Sequence, residues 1–189
     1  MASLVLSGDT SGSITVAAPA VAGSNTQTLV AATDTLAPII RGTTLTAVTN
    51  FTTSADFTNI PSWVKRITVM FNAISLTGSD SILVQIGSGS LSTSGYTSGS
   101  SSGASGVGTA TSTSGFIVRT TASGDTLYGS MVIQNITSNT WVANHTFGGA
   151  VFFIGGGISP SLSGALDRVS VTRSGTNTFD TGTINLLWE

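Results

Sequence analysis

The chain of 189 residues carries six Lys or Arg and eight Asp or Glu side chains, 7% charged residues, where a soluble domain ordinarily has about 25%. Hydrophobic residues stand at 40%, which excludes a charge-rich disordered tract and is enough for one buried core. A net charge of −2, with Lys65 as the single lysine and five scattered arginines, excludes the clustered cationic footprint of a nucleic-acid binder.

Cysteine is absent, so disulfides, thiolate metal sites and thiol redox chemistry are excluded. The opening Met-Ala-Ser-Leu-Val-Leu-Ser-Gly-Asp lacks a basic n-region and a long apolar run, so no secretory signal is expected. No run approaches the length of a membrane span, and no membrane insertion is expected. The Asn-x-Thr triplets beginning at Asn50, Asn135 and Asn144 read as products of a chain with 60 Ser and Thr residues.

Apolar clusters are short, β-branched or aromatic, and bounded by Gly, Ser, Thr, Asn or Pro, which is strand and turn punctuation. Ser13 to Val16 and Gln27 to Val30 read as short strands around a small-residue connection, and Pro38 closes this opening segment. Residues 1–40 hold too few large apolar side chains for a core and read as an extended segment that orders against other subunits or proteins. Leu45 to Phe51 is a further candidate strand. After Pro61, Val64 to Ala73 is the clearest, with Ile67, Val69, Phe71 and Ala73 at one parity. Ile82–Ile86, Phe116–Arg119, Leu127–Asn135, Trp141–Phe147, Ala150–Ile154, Arg168–Thr172 and Thr183–Trp188 follow. Several alternate with period two, as in Trp141, Ala143, His145 and Phe147, or Ile184, Leu186 and Trp188, which sets each group on one sheet face. No 3.6-residue period is sustained. The expectation is an all-β chain: an extended N-terminal segment with short strands, then an antiparallel β-sandwich over 41–189, with a jelly roll favoured.

Gly87 to Gly115, rich in Gly and Ser, reads as a long loop within the sandwich. Its sizeable apolar side chains are Leu91, Tyr96 and Val107. With no strand to bury Tyr96, the tyrosine is expected to be exposed, and the three are candidate receptor contacts. Trp63 and Trp188 sit in strand-like settings and are expected in the core.

Catalytic chemistry finds little to use, and the chain is not expected to be an enzyme or to bind a cofactor or metal. His145 is the single histidine and reads as a strand residue facing solvent or a polar neighbour. The letters Gly-x-Ser-x-Gly occur from Gly99 to Gly103, but inside the Gly/Ser tract, without the strand and helix a nucleophile elbow requires. The aspartates sit beside Gly, Ser or Thr, as at Asp9, Asp80 and Asp125, and read as turn-formers rather than a glycosidase pair. Gly155-Gly156-Gly157 reads as a flexible turn.

Two stretches carry a family likeness. Ser7 to Thr33 (SGDTSGSITVAAPAVAGSNTQTLVAAT) looks like an N-terminal element of tailed-bacteriophage virion proteins, especially fibre-type ones. Asp56 to Phe71 (DFTNIPSWVKRITVMF) is similar to tail-fibre or head-fibre proteins. The resemblance implies a structural virion component, often homotrimeric, held to other virion proteins of the tail, neck or capsid by its N-terminal part. Leu4, Leu6, Ile14, Val16 and Leu29 are the anchor candidates. The C-terminal β-domain would face outward and attach to the host surface, with a cell-surface glycan as the implied target, after assembly in the bacterial cytoplasm. The stretch contains no long shaft, coiled coil or collagen-like repeat. That keeps a capsid decoration or cement protein as the alternative, while a polysaccharide depolymerase is disfavoured by the missing carboxylate pair.

Overall fold

A computed structural model describes residues 3–7, 13–17, 48–104 and 106–189, and the side chains of 48–103 and 108–189. Two compact units divide the chain, Met1–Pro38 and Ile39–Glu189. In the first, β1 (Ser3–Ser7) pairs antiparallel with β2 (Ser13–Ala17), setting Leu4 opposite Val16 and Leu6 opposite Ile14. The side chains of these four candidates, Leu29 and the expected strand at Gln27 to Val30 lie outside the described residues.

The second unit is all-β among its described residues. Its strands are β3 (Val48–Thr49), β4 (Ala55–Phe57), β5 (Arg66–Leu76), β6 (Ile82–Ser88), β7 (Ser90–Leu91), β8 (Thr97–Ala104) and β9 (Gly106–Ser112), followed by β10 (Phe116–Val118), β11 (Leu127–Thr137), β12 (Thr140–Gly148), β13 (Phe153–Ile158), β14 (Arg168–Arg173) and β15 (Phe179–Trp188). One sheet runs β10-β6-β14-β4, with β7 beside β6. The other runs β3-β15-β5-β11-β12-β13-β8-β9. Their inner faces share one core that includes Phe57, Ile67, Val69, Phe71, Val84, Phe116, Met131, Phe147, Val171 and Trp188. The fold is therefore a β-sandwich, as the period-two strands indicate.

Four antiparallel pairings are nested about the chain midpoint: β3 with β15, β4 with β14, β5 with β11 and β6 with β10. Two insertions break this nesting, β7–β9 between β6 and β10 and β12–β13 between β11 and β14. Rather than hanging as loops, they pair with each other through β13 and β8, widening the second sheet to eight strands.

The main departure from the sequence expectation is here. Gly87–Gly115 contains β7, β8 and β9, not a long loop, because its backbone is paired with β13 and β6. Gly155-Gly156-Gly157 lies inside β13, not in a turn. A Cβ on Gly155 would fall 2.6 Å from His145 Cε1, and one on Gly157 2.7 Å from Ser98 Cα, so neighbours already fill the side-chain space. The strand expected at Ala150–Ile154 accordingly sits further on, at Phe153–Ile158. Of the strand expected at Leu45–Phe51, residues 45–47 lie outside the described residues, and Val48 and Thr49 form β3. Trp188 is buried as expected. Trp63, by contrast, is 40% exposed in the turn where Val64 N donates to Pro61 O, so it is not a core residue.

The alternation in β5 also changes phase. Ile67, Val69 and Phe71 point inward, but Ala73 adopts a left-handed backbone with φ +56°, and Ile74 and Leu76 then become the buried set. Opposite it, Gly182 has φ +103°, and a Cβ there would collide with Ala73 O and Ile74 Cδ1. The ladder between β5 and β15 shifts register at this point, which is a β-bulge. Gly182→Ala should therefore destabilise the fold by about 2 kcal/mol or more, read as a lower denaturant midpoint. An unchanged midpoint would show that the bulge tolerates a side chain.

Candidate functional site

Strand β8 shows how a Ser-rich segment becomes part of a sheet. Ser98, Ser100 and Ser102 alternate onto its inner face and are buried. There they meet β10, whose one edge is paired with β6 and whose other edge has no strand beside it. Ser98 Oγ accepts from Ile117 N at 2.9 Å, and Ser100 Oγ accepts from Arg119 N at 3.1 Å. Ser102 Oγ accepts from Arg119 Nη1 at 2.5 Å. Hydroxyls thus take the place of a neighbouring strand's carbonyls, satisfying amides that would otherwise be buried without partners. The same hydroxyls approach carbonyls of their surroundings, Ser98 to Gly156 O and Ser100 to Ile154 O, both at 3.3 Å.

His145 reaches this seam from β12. Its ring crosses above Gly155, and Nε2 lies 3.1 Å from Ser100 Oγ. A hydroxyl has one hydrogen and two lone pairs. Ser100 fills all three if it donates to Ile154 O and accepts from Arg119 N and from a protonated Nε2. Nδ1 is then the bare nitrogen, and it is buried without a hydrogen-bond partner. Histidine and serine stand at the separation of a base and a nucleophile, but no carboxylate orients Nδ1 and His145 is only 3% exposed. The pair ties β12 to β8. Burial pushes the His145 pKa down from 6.5 to about 4, because a second ring proton would add a charge and a donor with no acceptor.

Each described carboxylate already has a hydrogen-bond or ion-pair partner. Asp125 accepts from Thr121 N and Ala122 N, Asp80 from Asn177 N, Asp167 from Gly89 N and the Arg168 guanidinium, Asp56 from Ser54 and Ser170, and Asp180 from Ser75. Glu189 pairs with Arg66 at 2.9 Å. Asp125 closes its own turn, as its Gly neighbour suggests, whereas the Asp80 carboxylate reaches across to Asn177, remote in sequence. Among the described residues, no group of three His, Asp or Glu side chains is placed to hold a metal ion.

Of the three candidate contact residues, Tyr96 is in the core, 1% exposed, and not on the surface. Its hydroxyl accepts from Ile86 N at 2.9 Å and its ring meets Phe116 edge-on, with centroids 5.1 Å apart. Burial raises its pKa to about 12 against the opposing effect of the Ile86 hydrogen bond. Neighbouring residues did offer it a strand, but one built from serine and invisible to an apolar pattern. Leu91 is half-buried in β7. Val107 lies in β9, with its side chain outside the described residues. The structure does not gather these three into one site.

The residues that do converge lie on the outer face of β12, β13, β8 and β9. Register places Asn144, Gly156, Gly99 and Thr111 in one row across these strands, and Thr146, Ile154, Ser101 and Thr109 in the next. On the other side, Val142, Ile158 and Thr97 form a third row. Gly156 and Gly99 supply no side chains, so the middle row is sunken between Ile154 and Ile158, which are 49% and 39% exposed. An open groove of about 670 Å³ follows, lined by Gly99, Ser101, Thr109, Thr111, Asn144, Thr146 and Ile154 among others. Phe152 is exposed beside it and covers Gly103, where a Cβ would collide with the ring. Sequence reasoning missed these positions because each looks like an ordinary outward strand residue, and their meeting depends on the β13–β8 pairing.

The face is uncharged. Residues 81–118 and 126–166 contain no Asp, Glu, Lys or Arg, and they include all four strands. The side chains of Ser101, Thr109, Thr111, Asn144 and Thr146 form no hydrogen bonds with other described residues, unlike the three inward serines. No family model matches the chain, and neither does any curated protein or solved structure.

The buried histidine makes the seam acid-sensitive. In the window from 6.5 down to about 4 the unfolded chain binds a proton that folded His145 refuses. Its contribution is fully present above pH 6.5 and is lost as pH falls towards 4, by on the order of 2–3 kcal/mol. Wild-type stability should fall more between pH 7 and 4.5 than that of His145→Gln, measured by urea denaturation. Parallel pH profiles would contradict this.

Proposed function

We propose that the chain is a structural virion protein of a tailed bacteriophage, a short fibre-type subunit whose β-sandwich attaches to the host surface. The observation that carries this reading is the uncharged outer face of the eight-stranded sheet with its open groove. It offers hydroxyl, amide and aliphatic groups together, the mixture that a neutral surface ligand requires. The nested pairings β3/β15, β4/β14, β5/β11 and β6/β10 suit a jelly-roll winding with two insertions, an architecture used in capsid and lectin domains. The likeness of Ser7–Thr33 and Asp56–Phe71 to fibre-type virion proteins adds the particle as context and makes residues 1–40 its anchor. A homotrimer joined to other virion proteins fits a surface whose low charge removes mutual repulsion.

A capsid decoration role is the second reading. It is favoured by Tyr128 and Ile136, exposed large side chains outside the groove lining, which broad contact with a shell would cover. The described carboxylates, each already hydrogen-bonded or ion-paired, lend no support to a depolymerase.

Immunogold labelling of intact particles separates the two. Label at the tail or neck is expected, and label restricted to icosahedral capsid positions would contradict the fibre reading. Removing residues 1–38 should abolish incorporation into particles, measured by quantitative blotting. Undiminished incorporation would show that the anchor lies elsewhere.

A further inference from the structure

The groove described above has a chemistry specific enough to name its ligand class. We infer that the outer-face trough floored by Gly99 and walled by Thr111, Asn144 and Ile154 is a binding site for an uncharged oligosaccharide. The inference rests on the attachment reading for its biological setting, but its chemistry comes from the trough.

The shape follows from register. Across the strands, Asn144, Gly156, Gly99 and Thr111 span three inter-strand spacings, about 14 Å. Along β8, the lining runs from Gly99 to Ser101, and on β9 from Thr109 to Thr111, with Ile154 of β13 at one side. The volume of about 670 Å³ lies within the range of small-molecule sites. Such a trough accommodates a short run of sugar rings laid across the strands.

The lining supplies what a neutral sugar uses. Ser101, Thr109, Thr111 and Thr146 present hydroxyls that both donate and accept, and Asn144 presents an amide that does the same. None is spent on other described residues. Ile154 gives an apolar surface for the C–H face of a ring, and the exposed Phe152 lies along the same parity of the chain.

Other occupants fit less well. An anionic glycan or phosphate needs a cation, and the four strands contain no Lys or Arg. An extended peptide binds by adding to an open strand edge, which here is the far side of β9 and not the trough over β13 and β8, whose edges are both paired. A second copy docking two-fold on this face would set ridge against ridge and leave two troughs of unsatisfied hydroxyls.

Gly99 provides the test. A Cβ there meets nothing closer than Ala110 O at 3.8 Å, and Gly99 is not among the residues with positive φ. Gly99→Val therefore fills the floor with a strand-favouring side chain whose Cβ meets only ordinary van der Waals contact. The full chain would be titrated by protein-observed NMR with neutral hexose and N-acetylhexosamine oligosaccharides, and with sialylated and sulfated ones. At least one neutral probe should bind with a Kd of about 1 mM or tighter, shifting the amides of β8 and β13. Gly99→Val and Asn144→Ala should each weaken it by about tenfold or more with unchanged Tm, while Trp63→Ala, on a turn outside the trough, should not. No binding of any neutral probe, binding of the anionic probes alone, or full affinity in a folded Gly99→Val would overturn the inference. If Gly99→Val fails to fold, Asn144→Ala decides. Adsorption of the wild-type protein to a panel of bacterial strains separates the two levels. Adsorption that survives in a folded Gly99→Val overturns the groove and keeps attachment. Oligosaccharide binding without adsorption keeps the groove and overturns attachment.

Discussion

The seam between β8 and β10 is the interaction on which the wider architecture rests. A three-residue strand at the end of a sheet leaves amides that need acceptors, and that of Ile117 is buried. Ser98 and Ser100 answer this with side-chain oxygens, closing one flank of the sandwich without a further strand. An unsatisfied buried amide costs about 1–3 kcal/mol, so the two contacts together are comparable with a sizeable fraction of a domain's stability. Because they come from the inner face of β8, they also hold that strand where β13 can pair with it.

That geometry links composition to function. On one strand, alternate residues serve two purposes: inward Ser98, Ser100 and Ser102 hold the fold, and outward Gly99 and Ser101 shape the groove. A segment of leucines and valines could pack against β10 but could not accept from Ile117 N or Arg119 N. A segment with lysines would charge the outer face. The Ser/Gly composition meets both constraints, and Gly155 of β13 leaves space for the His145 ring while its backbone lines the groove.

Much of the sandwich was legible in the sequence because its strands bury one face. Ile67, Val69 and Phe71, or Ile184, Leu186 and Trp188, announce period two through the contrast of apolar and polar residues. The signal fails where both faces are small and polar. Ser98, Ser100 and Ser102 alternate in burial but not in hydrophobicity, so Gly87–Gly115 looks like a linker, and Tyr96, anchored inside it, looks like an exposed tip. Gly155–Gly157 misleads for a related reason: glycine usually marks a turn, but here the Cβ space belongs to His145 and Ser98. The candidate site was less legible still. Asn144, Ile154, Gly99 and Thr111 come from four strands, and only the pairing of two insertions brings them into one row.

Hydrogen exchange at the seam tests this account most directly. If serine hydroxyls stand in for a strand, the amides of Ile117 and Arg119 should exchange slowly in the wild-type protein. Replacing Ser98 and Ser100 with alanine should speed both by about a hundredfold or more, with little change at core amides such as Ile67. Rapid exchange in the wild type, or protection that persists without the two hydroxyls, would contradict it.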